Sequence, residues 1–232
     1  MAHQVTCFSD AYSAWENWSL TGYEQRSAAI TSFTKVLSQK ESATSAVCSY
    51  HLEKSEALLA KTHLMPGPTG ETNELYTAGR GVCLLLQDES SDTGRQAVTA
   101  QLICALLAGN TVILSSDDAV FTLAIEQAIS STSLPAHVLQ VIPRESAQEI
   151  LECDVRALGF VGSPEQEILL NRSLSNRNGA IVSFISETDL VGLPTALDPF
   201  LALRFVTERT RTINITAVGG NATLLELGSD GH

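Results

Sequence analysis

The chain has 232 residues, with 14 Lys and Arg against 26 Asp and Glu, a net charge of −12, 44% hydrophobic and 17% charged residues. It can bury one good core or two small ones, and its acidity argues against nucleic acid or an anionic lipid surface as partner, since either needs a basic face. No uncharged apolar stretch approaches the ~20 residues that span a bilayer; no membrane span is predicted, and a cytoplasmic location is expected.

The first ~60 residues read as helical, because no proline precedes Pro66 and the apolar period is near 3.6. One helix is predicted from about Gly22 to Gln39 with Ile30, Phe33 and Leu37 inward. A second runs from about Ser42 to Lys61 with Val47, Tyr50, Ala57 and Leu58 inward. Pro66-Gly67-Pro68 then breaks the pattern.

Short apolar runs follow at Val82–Leu86, Thr111–Leu114, Val138–Ile142, Ala157–Val161 and Ile181–Ile185, and continuous apolarity suggests strands covered on both faces. Helical segments alternate with them at Gly94–Ala108, Asp118–Ser130, Ser146–Leu151 and Pro164–Asn176. The prediction is an α/β fold with a doubly wound, Rossmann-like parallel sheet, preceded by a helical N-terminal stretch and followed by an extended C-terminal tail. The divisions drawn are 1–65, 66–190 and 191–232. Ser163-Pro164-Glu165-Gln166 supplies an N-cap, a first-turn proline and a capping-box glutamine.

Five cysteines without CxxC spacing, Cys7, Cys48, Cys83, Cys104 and Cys153, sit mostly in apolar segments, as buried reduced thiols do. The five histidines fall on separate elements with no ligand spacing, so no metal site is predicted.

Several of these segments resemble the aldehyde dehydrogenase family. Arg80-Gly81-Val82 is similar to its entry strand, Leu107-Ala108-Gly109-Asn110-Thr111-Val112-Ile113 to its Ala-Gly-Asn-Thr-Val-Ile turn and strand, and Leu134-Pro135-Ala136-His137-Val138 to its Leu-Pro-x-Gly-Val segment. Phe160-Val161-Gly162-Ser163 is similar to its Phe-Thr-Gly-Ser turn, and Ala14-Trp15 with Arg26 to its helical start. Arg177–Val182 leading to Ser186-Glu187-Thr188, with the tail Thr210–Asn221, resembles the bifunctional proline-catabolic members, which join proline dehydrogenase to 1-pyrroline-5-carboxylate dehydrogenase. In the longer members of that group the resemblance implies an extra C-terminal domain that keeps the nucleotide-binding fold without an active site.

The chemistry of the family needs a nucleophilic cysteine beyond its Glu-x-Gly-Gly base segment. No cysteine follows Glu187, and Asp189-Leu190 replace the glycines. The resemblance places Glu187 at the base position as a vestige, since a base without a nucleophile has no proton to move. It also places Ser115 where the family has the ribose-binding lysine, with Asp118 as the nearby acid and Gly162 and Ser163 at the pyrophosphate. The resemblance puts Glu167 where the family has glycine, so that its carboxylate would lie near two phosphate charges, and Pro164 removes one amide donor. No catalytic residue and no cofactor are expected, with NAD binding weak or absent.

The expected function is a noncatalytic, aldehyde-dehydrogenase-like structural or interaction domain of a proline-catabolic 1-pyrroline-5-carboxylate dehydrogenase, supporting channelling or oligomerisation. The alternative is a degenerate NAD-binding regulatory domain. The tail alternates polar and apolar at period two. It is expected to dock through Ile213, Ile215, Leu224 and Leu225 on a sheet edge of a catalytic aldehyde dehydrogenase domain, in cis or in trans, or of a second copy.

Overall fold

A computed structural model describes residues 2–68 and 70–214. Its elements run α1 (Ala2–Trp18), α2 (Tyr23–Lys40), α3 (Ser45–Leu59), β1 (His63–Met65), β2 (Glu71–Gly79), β3 (Val82–Gln87), α4 (Asp92–Leu107), β4 (Thr111–Ser116), α5 (Ala119–Ser130), β5 (Leu139–Ile142), α6 (Ala147–Leu151), β6 (Ala157–Val161), α7 (Pro164–Ser175), β7 (Ser183–Glu187) and β8 (Val206–Asn214). Two compact units emerge: residues up to Ala60 with Ala78–Thr207, and Lys61–Thr77 with the segment from Glu208. The sequence divisions at 65/66 and 190/191 mark changes of local pattern; the compact units divide elsewhere because α2 and α3 bury Phe33, Leu37 and Leu59 in the same core as α4.

The first unit holds a five-stranded parallel sheet in the order β5-β4-β3-β6-β7. Period-two alternation divides its core. Val82, Leu84, Leu86, Leu158 and Phe160 pack on one face with α1, α6 and Leu170 of α7. Cys83, Leu85, Val112, Leu114 and Val161 pack on the other with helices α2–α5. Both faces of β3, β4 and β6 are therefore dry, which explains their uninterrupted apolar sequences.

Between β3, which leads to β4, and β6, whose connections run the other way, lies the topological switch point. The crevice for a ligand in such sheets opens there, at the carboxyl ends of the strands. The α4–β4 turn that fixes the sheet's other end is tightly specified. Gly109 has φ +91°. Trp18 Nε1 donates to Leu106 O at 3.2 Å and Arg26 Nε to Leu107 O at 3.0 Å, satisfying carbonyls that a helix end leaves orphaned. Asn110 accepts from the amides of Arg80 and Gly81 and donates to the carbonyls of Ala105 and Phe205.

Two expectations are corrected. The inner face of α3 is Val47, Cys48, His51, Ser55 and Leu59, whereas Ala57 is exposed; polar His51 turns inward because its ring nitrogens meet the Ala196 carbonyl and the Cys104 thiol. The last strand of the sheet starts at Ser183 in place of Ile181, which is 95% exposed, because Ser183 is the first residue to pair with β6. The break at Pro66-Gly67-Pro68 falls between β1 and β2, which pair antiparallel and which the sequence did not predict.

In the second unit β1, β2 and β8 form a sheet in that order. The extended conformation expected of the tail is present as far as Asn214, with Ile213 in β8. Its neighbour there is β2 of the same chain. Arg211 pairs with Glu74, and Thr212 Oγ1 bonds Asn73 Oδ1 at 2.6 Å. Ile215, Leu224 and Leu225 lie outside the described residues.

Candidate functional site

The carboxyl ends of β3, β4, β6 and β7 bring the candidate residues to one edge of the sheet. At the end of β4, Ser115 is fully buried and its Oγ donates to Pro143 O at 3.3 Å. Ser116 Oγ donates to Gln87 Oε1 at 2.9 Å and accepts from the Asp118 amide at 3.1 Å. Asp118 caps α5 by accepting from Phe121 N at 3.1 Å. Its two oxygens also receive the Arg95 guanidinium, Nε to Oδ2 at 2.7 Å and Nη2 to Oδ1 at 3.0 Å, while Nη1 of the same arginine reaches Glu41 Oε2 at 2.9 Å. Arg95 lies in the first turns of α4, so the fork that fixes the acid comes from the helix that follows β3.

At the end of β6, the Gly162 amide donates to Glu187 O at 3.2 Å. A Cβ on Gly162 would stand 2.6 Å from the Phe160 ring and 3.0 Å from Asp88 Cβ, so the turn is closed against the crevice side chains. Ser163 Oγ accepts from Gln166 N at 3.3 Å, the cap expected from the sequence. Glu165 and Glu167 occupy the first turn of α7, and Ser186 Oγ donates to Glu167. Across the crevice Arg144 pairs with Asp88.

Glu187 ends β7 buried, and both of its carboxylate oxygens are engaged by backbone amides. Oε1 accepts from Asp189 N at 3.2 Å; Oε2 accepts from Thr195 N at 2.7 Å and Ala196 N at 3.0 Å. Three of its about four acceptor positions are thereby taken by the loop, both of those on Oε2 among them.

One pairing was not legible in the sequence. His51 Nδ1 stands 3.3 Å from Cys104 Sγ and its Nε2 is 2.7 Å from Ala196 O, with both residues fully buried. Burial pushes the Cys104 thiol up and the imidazole down, the latter opposed by the Ala196 carbonyl. An activated cysteine shows the reverse, a depressed thiol beside a cationic histidine, so this pair is packing with a hydrogen bond. Burial also raises Cys7 and Cys48 to about 11. Among the described residues no group of three or more His, Cys, Asp and Glu could hold a metal ion.

Comparison with known proteins fits this fold. Residues 94–182 match the model of the aldehyde dehydrogenase family. The chain carries an aldehyde dehydrogenase family domain. It is 29% identical over 183 residues to the bifunctional protein PutA of Escherichia coli K12, covering 79% of this chain and 12% of that protein. A structure of proline utilization A with proline bound in remote sites superposes with a TM-score of 0.70 at 22% identity, over 81% of this chain and 22% of that one. A 1-pyrroline-5-carboxylate dehydrogenase from Thermus with NAD bound gives 0.69 at 18% identity, over 81% and 42%. At those identities the two structures establish the fold. The chain spans about an eighth of the length of the curated relative.

Within the aldehyde dehydrogenase fold, the structure brings Gly162, Ser163 and Glu187 side by side at the ends of β6 and β7, and Ser115 with Asp118 at the end of β4. The partners that decide what these residues can do, Arg95, Glu41, Thr195 and Ala196, were missed. Arg95 and Glu41 are 54 positions apart, and no spacing rule links them. An acidic residue ending a strand before a loop with the amide-rich Thr195-Ala196 turn was the one available signal.

Proposed function

We propose that this chain is a noncatalytic, aldehyde-dehydrogenase-like module of a proline-catabolic 1-pyrroline-5-carboxylate dehydrogenase. In this reading it packs on the catalytic aldehyde dehydrogenase domain, in cis or in trans, and supports channelling or oligomerisation. The observation that carries the reading is Glu187: the position of the family's base is spent on three loop amides, and no cysteine follows it to act as nucleophile. The names of the similar structures, proline utilization A and 1-pyrroline-5-carboxylate dehydrogenase, support the pathway. Among the described residues β8 is an edge strand of its sheet, and its outer side, with Ile213 at 43% exposure, offers the docking edge.

The residues present do not fit NAD. Ser115 is inward and bonded, Asp118 is filled by Arg95, and the first turn of α7 offers two carboxylates where a pyrophosphate would need donors. A second reading, residual nucleotide binding, is favoured by one feature, a hollow of about 300 Å³ bordered by Ser116, Thr122, Val141 and Pro143. Its Asp117 and Glu126 oppose a phosphorylated ligand.

A thermal-shift titration separates the two. Binding at 100 times the dissociation constant would stabilise the fold by ~2.7 kcal/mol. The module reading expects no shift at millimolar NAD and no oxidation of glutamate semialdehyde by the purified chain. A saturable shift, or turnover abolished by a substitution in this chain, would overturn it.

A further inference from the structure

The connection from α7 to β7 is fixed at its two ends and open between them. Asn176 N bonds Ser173 O and Arg177 N bonds Leu174 O, each at 3.2 Å, and Arg177 Nη2 donates to Cys153 O at 2.6 Å. The next fixed point is Ser183, whose amide donates to Arg156 O at 3.2 Å where β7 begins. Between these anchors Asn178, Gly179, Ala180 and Ile181 are exposed. Gly179 has φ +104°, and nothing lies within 4 Å of the place a Cβ would take. Neither its amide nor the Asn178 side chain has a hydrogen-bond partner among the described residues.

An asparagine before a glycine can react with its own backbone. A side chain on the following residue hinders the approach of that residue's nitrogen to the asparagine Cγ, and glycine has none. Of the eight asparagines in the sequence only Asn178 precedes a glycine. Asn110 shows the opposite case: it is fully buried, its amide group is held by the backbone of Arg80, Gly81, Ala105 and Phe205, and Thr111 follows it. Most backbone amides are tied into a ladder or turn. That of Gly179 has no such bond to break before it attacks.

We propose that Asn178-Gly179 is a self-modification site, at which the turn acquires a carboxylate through a succinimide. The Gly179 nitrogen attacks Asn178 Cγ, the new C–N bond closes the imide ring, the Cγ–Nδ2 bond breaks, and the amide proton leaves with Nδ2 as ammonia. Water then opens the ring. Cleavage between Cγ and the Gly179 nitrogen gives an aspartyl residue. Cleavage between the Asn178 carbonyl carbon and that nitrogen gives an isoaspartyl residue, whose main chain runs through Cγ and is one carbon longer. Either product makes the chain one charge more negative than −12. The added carbon falls between Arg177 and Ser183, so the connection takes it up and β7 keeps its register with β6. The turn lies at the amino end of β7, at the opposite end of the sheet from the crevice, and the modification leaves the candidate site as it is. The isoaspartyl product carries the free carboxylate that isoaspartyl methyltransferases esterify with S-adenosylmethionine, which makes the aged chain a substrate for that class of enzyme.

Peptide mapping of the full chain, aged at neutral pH below its unfolding midpoint, tests this. The peptide containing Asn178 should gain the mass of NH2 exchanged for OH before any other asparagine peptide does, and should separate into two products. Its rate should be comparable in buffer and in urea, because the fold gives the turn no protection, whereas Asn110 should change only in urea. An isoaspartyl methyltransferase with labelled S-adenosylmethionine should place methyl groups on the same peptide, increasingly with age. Asn178→Gln should keep the circular dichroism and unfolding midpoint of the wild type and lose both the mass gain and that label; Asn178→Ser serves if that variant does not fold. Asp230-Gly231 can form an isoaspartyl residue through the same ring, but from an acid and so without a change of mass. Three results would overturn the proposal: an unchanged Asn178 peptide while Asn214 or Asn221 is modified, a rate in the folded chain roughly tenfold or more below that in urea, or no methyl label on the Asn178 peptide.

Discussion

Arg95 grips Asp118 with two parallel hydrogen bonds, at 2.7 and 3.0 Å, and the third nitrogen of the same guanidinium reaches Glu41. Asp118 thereby becomes part of a brace joining α4, α5 and the turn after α2. Removing the arginine leaves two carboxylates in a mostly buried place without their cation. Arg95→Ala is expected to cost about 3 kcal/mol in urea unfolding, and Arg95→Lys to recover only part, because an ammonium cannot make the paired geometry. A loss below ~1 kcal/mol would show the brace to be dispensable.

Glu187→Gln keeps the shape of the side chain but turns one acceptor into a donor facing the amides of Thr195 and Ala196. The expected loss is ~1–3 kcal/mol. Amide hydrogen exchange at Thr195 and Ala196 should accelerate more than exchange in β3 and β4, and equal acceleration everywhere would contradict a local clamp.

His51 gives the fold an acid sensitivity of known sign. Burial lowers its folded pKa below the unfolded value of ~6.5. Between those two values the unfolded chain binds the extra proton, so stability is complete above ~6.5 and falls as the pH drops below it, by at most ~1.4 kcal/mol per unit for one proton. The stability difference between wild type and His51→Gln should narrow from pH 7.5 to pH 5. A difference independent of pH would show that the imidazole is not buried neutral.

Gly159 sits in the middle of β6, where an added Cβ would fall 2.2 Å from Gln101 Oε1 and 2.3 Å from Leu85 Cδ2. Gly159→Ala should destabilise by ~1–3 kcal/mol through overpacking, whereas Gly22→Ala, with nothing near its Cβ, should be close to neutral. Equal effects in thermal unfolding would refute the packing explanation.

Thiol labelling under native conditions should modify Cys153 first, since it alone of the five is not buried. Cys83 and Cys104, pushed upward by burial, should react only at the rate of global opening. Early labelling of Cys104 would place it nearer solvent than its packing against His51 implies.

What the sequence displayed depended on how local the cause was. β6 was legible to the residue because both its faces are dry and Gly162-Ser163-Pro164 stops it. β2 was not, since its side chains are only half-buried and nothing in Glu71–Gly79 forms an apolar run. β7 was displaced by two residues because exposed Ile181 imitates a core position. At the site, the Ser163 cap could be read from four consecutive residues, whereas the fates of Asp118 and Glu187 were set by partners that only tertiary folding brings near.

The strand order β5-β4-β3-β6-β7 also bears on biosynthesis. The central strand leaves the ribosome first, β4 and β5 add to one side in turn, and β6 and β7 then add to the other. No strand has to be inserted between two that are already paired, so the nascent chain can enlarge its sheet without undoing it. β1 and β2 must wait for β8, which is made only after every strand of the parallel sheet.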